Sequence, residues 1–398
     1  MLTRRQFTSG YAGLVAAALC RTRSGRGDEL SRLIERIDEA VGQAVGFLAG
    51  KQAADGAWRS EVYGPLKDGP SLTAFIAAAL VKISDSSAVE PTLGKAIGYL
   101  ASIDPVAGGI TYPVYAAAGA VAALSRQPTS RYFTARDAWL ACLRQQQLVE
   151  ALGWKESDDS FGGWSFAHEP PVAINGKPAS PLAVPNLSAT TFAVDALRAA
   201  GCSVDDPAIQ KALIFVQRCQ NWTDDETAMD LRFDDGGFFF LHSDAIRNKP
   251  GEAGVDSKGR IRYHSYGSTT ADGLRALLAC GLPIDHPRVR AARSWLVADF
   301  SAERHPGEYP ANREHLRSAL YFYFAASAAE ALLTSQPKRN FGESPWATDF
   351  GEVLRGRQRK DGSWANPAVD VREDDPLVAT PLALGALFYC KTALSCNS

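Results

Sequence analysis

The sequence has little of what several classes of protein require. It carries 42 basic against 44 acidic residues, a net charge of −2, so it lacks the basic excess of nucleic-acid-binding proteins. Its seven cysteines are scattered, with no Cys-x-x-Cys and no Cys/His cluster at zinc spacing. With 46% hydrophobic and 22% charged residues, the chain is neither disordered nor fibrous and can form a large core.

Two pairs of cysteines give different expectations. Cys142 and Cys280 lie inside apolar helical patterns, which indicates buried free thiols. Cys390 and Cys396 are close enough in sequence to pair, and the sequence leaves that pairing open.

Long apolar runs are scarce as well. The stretch from Tyr11 to Cys20 is too short for a membrane span of about 20 residues, and we expect no later segment to span a membrane. It follows Thr-Arg-Arg-x-Phe at residues 3–7, which resembles a twin-arginine export signal. We therefore predict an export signal over residues 1–27 and a periplasmic or secreted protein. A disordered basic N-terminus is the alternative, and Leu19 disfavours a lipoprotein cysteine at Cys20.

The sequence repeats itself. Residues 52–58 and 358–364 both read Q-x-x-D-G-x-W, and weaker copies lie at 161–164 and 234–238. A helical pattern precedes each copy, and a second one, rich in small residues and opened by Ser or Thr, follows it. We expect these Ser and Thr residues to be N-caps, Gly201 and Gly281 to end second helices, and Pro207 and Pro287 to begin the next ones.

Six such units account for the chain. First helices are predicted to begin near Asp38, Gly94, Tyr132, Ala208, Arg288 and Pro345. The alanine-rich second helices suit an inner ring, because small side chains allow close helix packing, and the more charged first helices suit an outer ring. The predicted fold class is therefore all-α, an (α/α)6 toroid of six helical hairpins over residues 28–398.

The Q-x-x-D-G-x-W motifs resemble the QW repeats of squalene-hopene and oxidosqualene cyclases, whose α/α toroid protein prenyltransferase β subunits share. Residues 265–274 and 361–364 look most like secreted bacterial prenyltransferase/squalene-oxidase repeat proteins. The resemblance covers about residue 30 to the end and implies the toroid fold, with less bearing on the reaction. In the turn, Asp-Gly provides a tight bend and the Gln amide is expected to hold a neighbouring helix end.

The resemblance implies a catalytic motif that is missing here. Squalene-hopene-type cyclases protonate an alkene with an Asp in D-x-D-D-T-A, and no such motif is present. The nearest match stands before the sixth inner helix, where Asp374 and Asp375 are the candidate catalytic acid; complementing the helix dipole is their alternative role. The E-x-D-D at 156–159 is expected in a turn. The Asp-x-Tyr-Cys pattern of zinc-binding prenyltransferases is also absent, so neither a metal nor a cofactor is predicted.

Aromatic residues near inner-helix starts could line a central cavity, since ring faces stabilise carbocations by about 0.5–2 kcal/mol each. The candidates are Tyr266, Tyr321 and Phe324, with Asp272 as a capping or pore-lining carboxylate. Core filling is the alternative for the aromatic groups.

Two insertions, 167–185 and 223–263, replace equivalent turns and should leave the ring at one end, where repeat proteins often bind. Within the second, residues 238–241 (Phe-Phe-Phe-Leu) suit either a packed β segment or contact with lipid.

Three functions remain open. The first is a cyclase-like protein that binds an isoprenoid or other apolar ligand in its centre, with contact to a membrane as an option. The second is a non-enzymatic periplasmic scaffold that binds a protein or glycan through its loop face. The third is a glycan-processing (α/α)6 enzyme, which needs two carboxylates about 5–10 Å apart.

Overall fold

In a computed structural model, the described residues are 8–84, 87–127, 130–336 and 345–395, with side chains described from residue 29 onward except at 226. The helices are α1 (Thr8–Lys51), α2 (Pro70–Leu80), α3 (Glu90–Ser102), α4 (Pro113–Ser125), α5 (Phe133–Gln145), α6 (Leu187–Ala199), α7 (Pro207–Arg218), α8 (Gly267–Ala279), α9 (Pro287–Ala298), α10 (Glu314–Ala319), α11 (Tyr321–Thr334), α12 (Pro345–Gly356) and α13 (Pro376–Ser395). Two small hairpins are formed by β1 (Ala173–Ile174) with β2 (Lys177–Pro178) and by β3 (Glu252–Val255) with β4 (Ile261–Tyr263).

Six helices form a closed inner ring. Helices α2, α4, α6, α8, α11 and α13 each pack against the next, and α13 packs against α2. Their surfaces are mostly buried, as the alanine-rich patterns predict. At one contact a Cβ on Gly119 of α4 would lie 2.5 Å from the Ala74 carbonyl oxygen of α2, so only glycine allows this approach. The predicted all-α toroid is confirmed.

The Gln residues of the repeated turns join neighbouring units. The Gln52 amide donates to the carbonyls of Gly56 in its own turn and Thr92 in α3, at 2.9 and 3.0 Å. Gln147, Gln220 and Gln358 make the same pair of bonds, to their own turn glycine and to α7, α9 and α1. The expected contact of Gln with a neighbouring helix is thus confirmed.

In each of these four turns, a threonine of the following inner helix bonds the turn backbone. The expectation that the Ser and Thr residues at the starts of these helices are N-caps was wrong. The Oγ1 atoms of four threonines accept the backbone N–H of the turn residue that is Trp in three copies and Phe in one: Thr73 with Trp58, Thr190 with Trp164, Thr270 with Phe238, and Thr380 with Trp364. Where a side chain caps one of these helices it is another residue, such as Asn186 before α6. The threonines stand one turn inside the inner helices, where they reach the buried turn.

Other local expectations hold. Gly201 and Gly281 follow inner helices with φ of +87° and +100°, and Asp206 caps the Pro207 start of α7. Cys142 and Cys280 are free and buried, and burial raises the pKa of both thiols. Cys396 lies outside the described residues, so its pairing with Cys390 stays open.

Helix α13 departs from the expectation that no later segment could span a membrane. Among the described residues it is the one helix with sufficient length and hydropathy for a span, but 78% of that stretch is buried inside the protein. Helix α1 runs without a break across the predicted end of the export signal at residue 27. Residues 1–7, with the twin arginines, lie outside the described residues.

Candidate functional site

The predicted acids lie at the start of α13, where both accept hydrogen bonds. Asp375 Oδ1 accepts the Leu377 N–H at 2.9 Å as a helix cap, and its Oδ2 accepts the Ser60 hydroxyl at 2.5 Å. Asp374 Oδ1 accepts the Tyr63 hydroxyl at 2.6 Å. Both carboxyl groups thus have structural partners at the start of α13, and their role as catalytic acids stays a prediction.

Their neighbour Glu373 is the perturbed carboxyl of this segment. It is 1% exposed, and it accepts the backbone N–H groups of Phe322 and Tyr323 at 2.9 and 2.7 Å. Burial raises the pKa of Glu373 to about 7, against the effect of these bonds and of Asn366. Glu373 thus closes the N-terminus of α11, and its carboxyl oxygens are already occupied.

Three of the four predicted cavity residues pack away from the ring axis. The Tyr321 hydroxyl donates to the Ala302 carbonyl at 2.6 Å, and the Arg357 guanidinium lies 3.7 Å from its ring centroid. Phe324 packs on Phe350 of α12 at 5.8 Å between centroids. Tyr266 is buried beside His305, 5.8 Å between ring centroids.

Asp272 does reach the axis, at the centre of a buried hydrogen-bond cluster. It is 1% exposed, and its carboxylate accepts the Tyr323 hydroxyl at 2.7 Å and the Ser327 hydroxyl at 2.5 Å. Burial raises the pKa of Asp272 to about 6, although Arg275, Ser327 and Tyr323 act to lower it.

An ion-pair network extends from Asp272 along the axis. Arg275 of α8 bonds Asp195 of α6 and lies 3.0 Å from Glu330 of α11. Lys82, just after α2, lies 3.4 Å from Glu330 and donates to the Tyr389 hydroxyl of α13 at 2.8 Å. Charged and polar side chains thus link five of the six inner-ring units at the axis.

One cavity of the described structure lies between the inner helices, next to the ion-pair network. This cavity of about 90 Å³ lies between Phe75, Phe192, Arg275, Tyr323 and Glu330. Small-molecule sites usually measure about 300–1,000 Å³. Above it, aromatic rings contact one another in a column, with Phe166 on Tyr115 at 5.6 Å and Tyr115 on Phe192 at 5.3 Å between centroids. These rings are only half-buried, so the axis presents aromatic faces that remain partly accessible.

A much larger cleft of about 1380 Å³ lies on the loop face, between the two insertions. Residues 176–181 with Val184 form one wall, residues 239–247 and 259–263 the other, and the end of α7 the floor. Both insertions therefore leave the ring at the same end, as expected. In residues 238–241, Phe238 forms a β-bridge with Gln220, and Phe238, Phe239 and Leu241 are buried, which favours the packed alternative.

The lining of the cleft includes six basic side chains and three Trp, Phe or Tyr rings. Trp222 is half-buried, and its Nε1 donates to Asp224 at 3.0 Å. His242 contacts the ring edge of Phe239 at 5.0 Å between centroids, and its buried Nε2 has no hydrogen-bond partner among the described residues. Burial lowers the pKa of His242 to about 4, so the ring is neutral at pH 7.

The carboxylates of the cleft wall are Asp159 and Asp244. Although burial acts to raise it, the pKa of Asp244 is lowered by hydrogen bonds from the Arg247 backbone N–H and guanidinium, the latter at 2.7 Å. Asp244 therefore stays ionised, whereas a general acid needs a raised pKa.

Sequence reasoning missed most of the residues that the structure brings together. Arg275 stands one turn after Asp272, so the i, i+3 spacing could have paired them. No local sequence pattern marked Lys82, Glu330 or His242, because the residues they contact belong to other units.

No family model and no curated protein sequence matches this chain. Solved structures do share its fold. A variant of type II terpene cyclase MstE from Scytonema, in complex with geranylgeranyl dihydroxybenzoate, aligns at 15% identity with a TM-score of 0.56, covering 92% of this chain and 99% of that one. Cellobiose 2-epimerase from Spirochaeta thermophila aligns at 13% identity with a TM-score of 0.58, covering 92% of this chain and 98% of that one. A heparin-specific unsaturated glucuronyl hydrolase aligns at 15% identity with a TM-score of 0.54, covering 92% of this chain and 96% of that one. The chain has the α/α toroid fold of these proteins.

Proposed function

We propose that this α/α toroid is a binding protein that takes an oligosaccharide in the cleft on its loop face. The observation that carries the proposal is the size of that cleft, about 1380 Å³, against about 90 Å³ on the axis. The fold is shared by proteins named as a terpene cyclase and as sugar-processing enzymes, so it favours neither ligand class.

A deep cleft suits a chain ligand better than a protein surface, because protein interfaces of standard size bury about 800 Å² on each partner in a broad patch. The half-buried Trp222 ring offers an apolar face, while the arginines of the wall offer dense hydrogen-bond donors. Asp244 stays ionised beside Arg247, so it is not a proton donor for hydrolysis. We therefore favour binding over glycan processing.

A glycan microarray with the purified chain tests the proposal, followed by titration calorimetry with each oligosaccharide that binds. We expect Trp222→Ala to weaken binding at least about tenfold. Trp295→Ala is the matched control, since Trp295 also donates its Nε1 to an aspartate at 3.0 Å but does not line the cleft. A full array without a binding oligosaccharide, or equal losses in both variants, would reject the cleft as a glycan site.

The aromatic column on the axis supports a second candidate, an isoprenoid or other apolar ligand at the centre. An apolar ligand there would contact the half-buried rings of Tyr115, Phe166 and Phe192, which lie next to one another. Lipid extraction and mass spectrometry of the purified chain test it directly. A co-purifying isoprenoid that is lost in Ala326→Trp, which would fill the axial cavity, would establish this candidate; extracts without one would reject it.

We also propose that residues 1–27 export the protein through the twin-arginine route, on the basis of Thr3-Arg4-Arg5-Gln6-Phe7. Replacing both Arg4 and Arg5 by Lys keeps the positive charge but removes the arginine pair. Export of the tagged wild type, with retention of the Lys variant inside the cell, is the expected result. Equal export of both chains would contradict it.

A further inference from the structure

The basic side chains of the cleft differ in how their charge is compensated. Arg247 is paired with Asp244, Arg262 with Asp234, and Arg288 with Asp224, each at 2.7 Å. These pairs shape the walls and carry little net charge.

Arg218 and Lys177 are the exceptions. The Arg218 Nη atoms donate to the backbone carbonyls of Asp158 and Glu156 at 2.8 and 2.6 Å, which fixes the guanidinium without neutralising it. Among the ion pairs of the described residues, neither Arg218 nor the exposed Lys177 on β2 has a carboxylate partner, although the Asp159 carboxylate lines the same cleft. Both side chains line the cleft, one on its floor and one on its wall.

We infer that the oligosaccharide is acidic, with carboxylate or sulfate groups placed at Arg218 and Lys177. This inference rests on the proposed function and names its ligand class. A fixed guanidinium and an ammonium in one concave site attract anions.

The probes are hexagalacturonate and its fully methyl-esterified form, which share a backbone and differ in charge. Dextran sulfate against dextran forms a second pair, which separates sulfate from carboxylate recognition. We expect the acidic member of at least one pair to bind at least about tenfold more tightly, and its affinity to fall with added salt.

The variants are Lys177→Glu and Arg218→Gln. Each should weaken binding of the acidic probe about tenfold while leaving the neutral probe unchanged. Lys67→Glu is the matched control, because Lys67 is also exposed in an outer-to-inner turn but does not line the cleft. Lys177 is exposed, so its variant stays informative if Arg218→Gln fails to fold.

Different results would reject the acidic ligand, the assigned contacts and the glycan-binding cleft. Equal, salt-independent binding of acidic and neutral probes would overturn the acidic ligand and leave a glycan-binding cleft in place. Tighter acidic binding that Lys177→Glu does not weaken would overturn the assigned contacts. The absence of binding to any oligosaccharide would overturn the proposed function as well.

Discussion

The side-chain amide of Gln358 donates to the Ala40 carbonyl at 2.8 Å, across 318 residues of sequence. The same amide bonds Gly362 in its own turn, so one side chain joins the last repeat to the first. Gln52, Gln147 and Gln220 do the same between consecutive or nearby units. Closure of the ring therefore uses the bond that also joins three other pairs of neighbouring units.

Removing that amide should loosen the closure. Gln358→Ala leaves two carbonyls without their donor, and we expect the free energy of unfolding to fall by about 1–3 kcal/mol. Gln127→Ala is the control, because Gln127 is also half-buried but bonds only Ala123 of its own helix at 3.4 Å. Urea unfolding followed by circular dichroism measures both. Equal, small losses would show that the closing bond adds no stability.

The glycine of the same turn should be more sensitive. Gly362 has a φ of +86°, and a Cβ there would lie 2.4 Å from the Gln43 carbonyl oxygen. We expect Gly362→Ala to cost about 3 kcal/mol or more, from the left-handed backbone and the clash together. Gly356→Ala at the end of α12 meets no atom within 4 Å and should be neutral or stabilise by about 0.5 kcal/mol. A tolerated Gly362→Ala, measured by thermal unfolding, would contradict the packing of this turn.

The fold was predictable because the sequence patterns that specify it are local and recur along the chain. Each Q-x-x-D-G-x-W copy marks the boundary between an outer and an inner helix, and alanine marks the inner wall, so six hairpins follow from the sequence. The role of the threonines was not predictable in this way. Thr73 and Thr380 stand where N-caps are common, but they bond turns that pack beside them only in the folded ring.

The candidate site could be predicted much less well, because its contacts are between units. Asp272 was identified, but its partner Tyr323 lies 51 residues away. Tyr321 and Tyr323 are two positions apart on one helix and therefore face different directions. Only the packing of α12 against α11 decides which of them faces the axis. The cleft depends on how two insertions fold, which no repeat in the sequence describes.

The ion network on the axis provides a third prediction. The Arg275 side chain is 10% exposed and forms ion pairs with Asp195 and Glu330. Arg275→Leu should cost about 3 kcal/mol, because it leaves Asp195 without its partner and Glu330 with Lys82 alone. Arg59→Leu, which breaks a pair with Asp55 in which the two side chains are 39% and 46% exposed, should cost about 0–1 kcal/mol. Adding Glu330→Gln and Asp195→Asn to Arg275→Leu should restore part of the loss. A triple variant no more stable than Arg275→Leu would show that lost packing, rather than charge, is responsible.

The pH dependence of stability tests Glu373. Burial raises its pKa from 4.5 to about 7 in the folded protein, so the folded state holds this proton more tightly than the unfolded state does. The stabilisation is fully present below about pH 4.5 and is lost as the pH rises through about 7, by about 3 kcal/mol in total. In Glu373→Gln, which cannot ionise, the free energy of unfolding should fall less over this interval than in the wild type. Glu61→Gln is the control, because the Glu61 side chain is 83% exposed and should leave the wild-type slope intact. Parallel curves for the wild type and Glu373→Gln in urea titrations from pH 4.5 to 8 would mean that Glu373 is already ionised where it closes the N-terminus of α11.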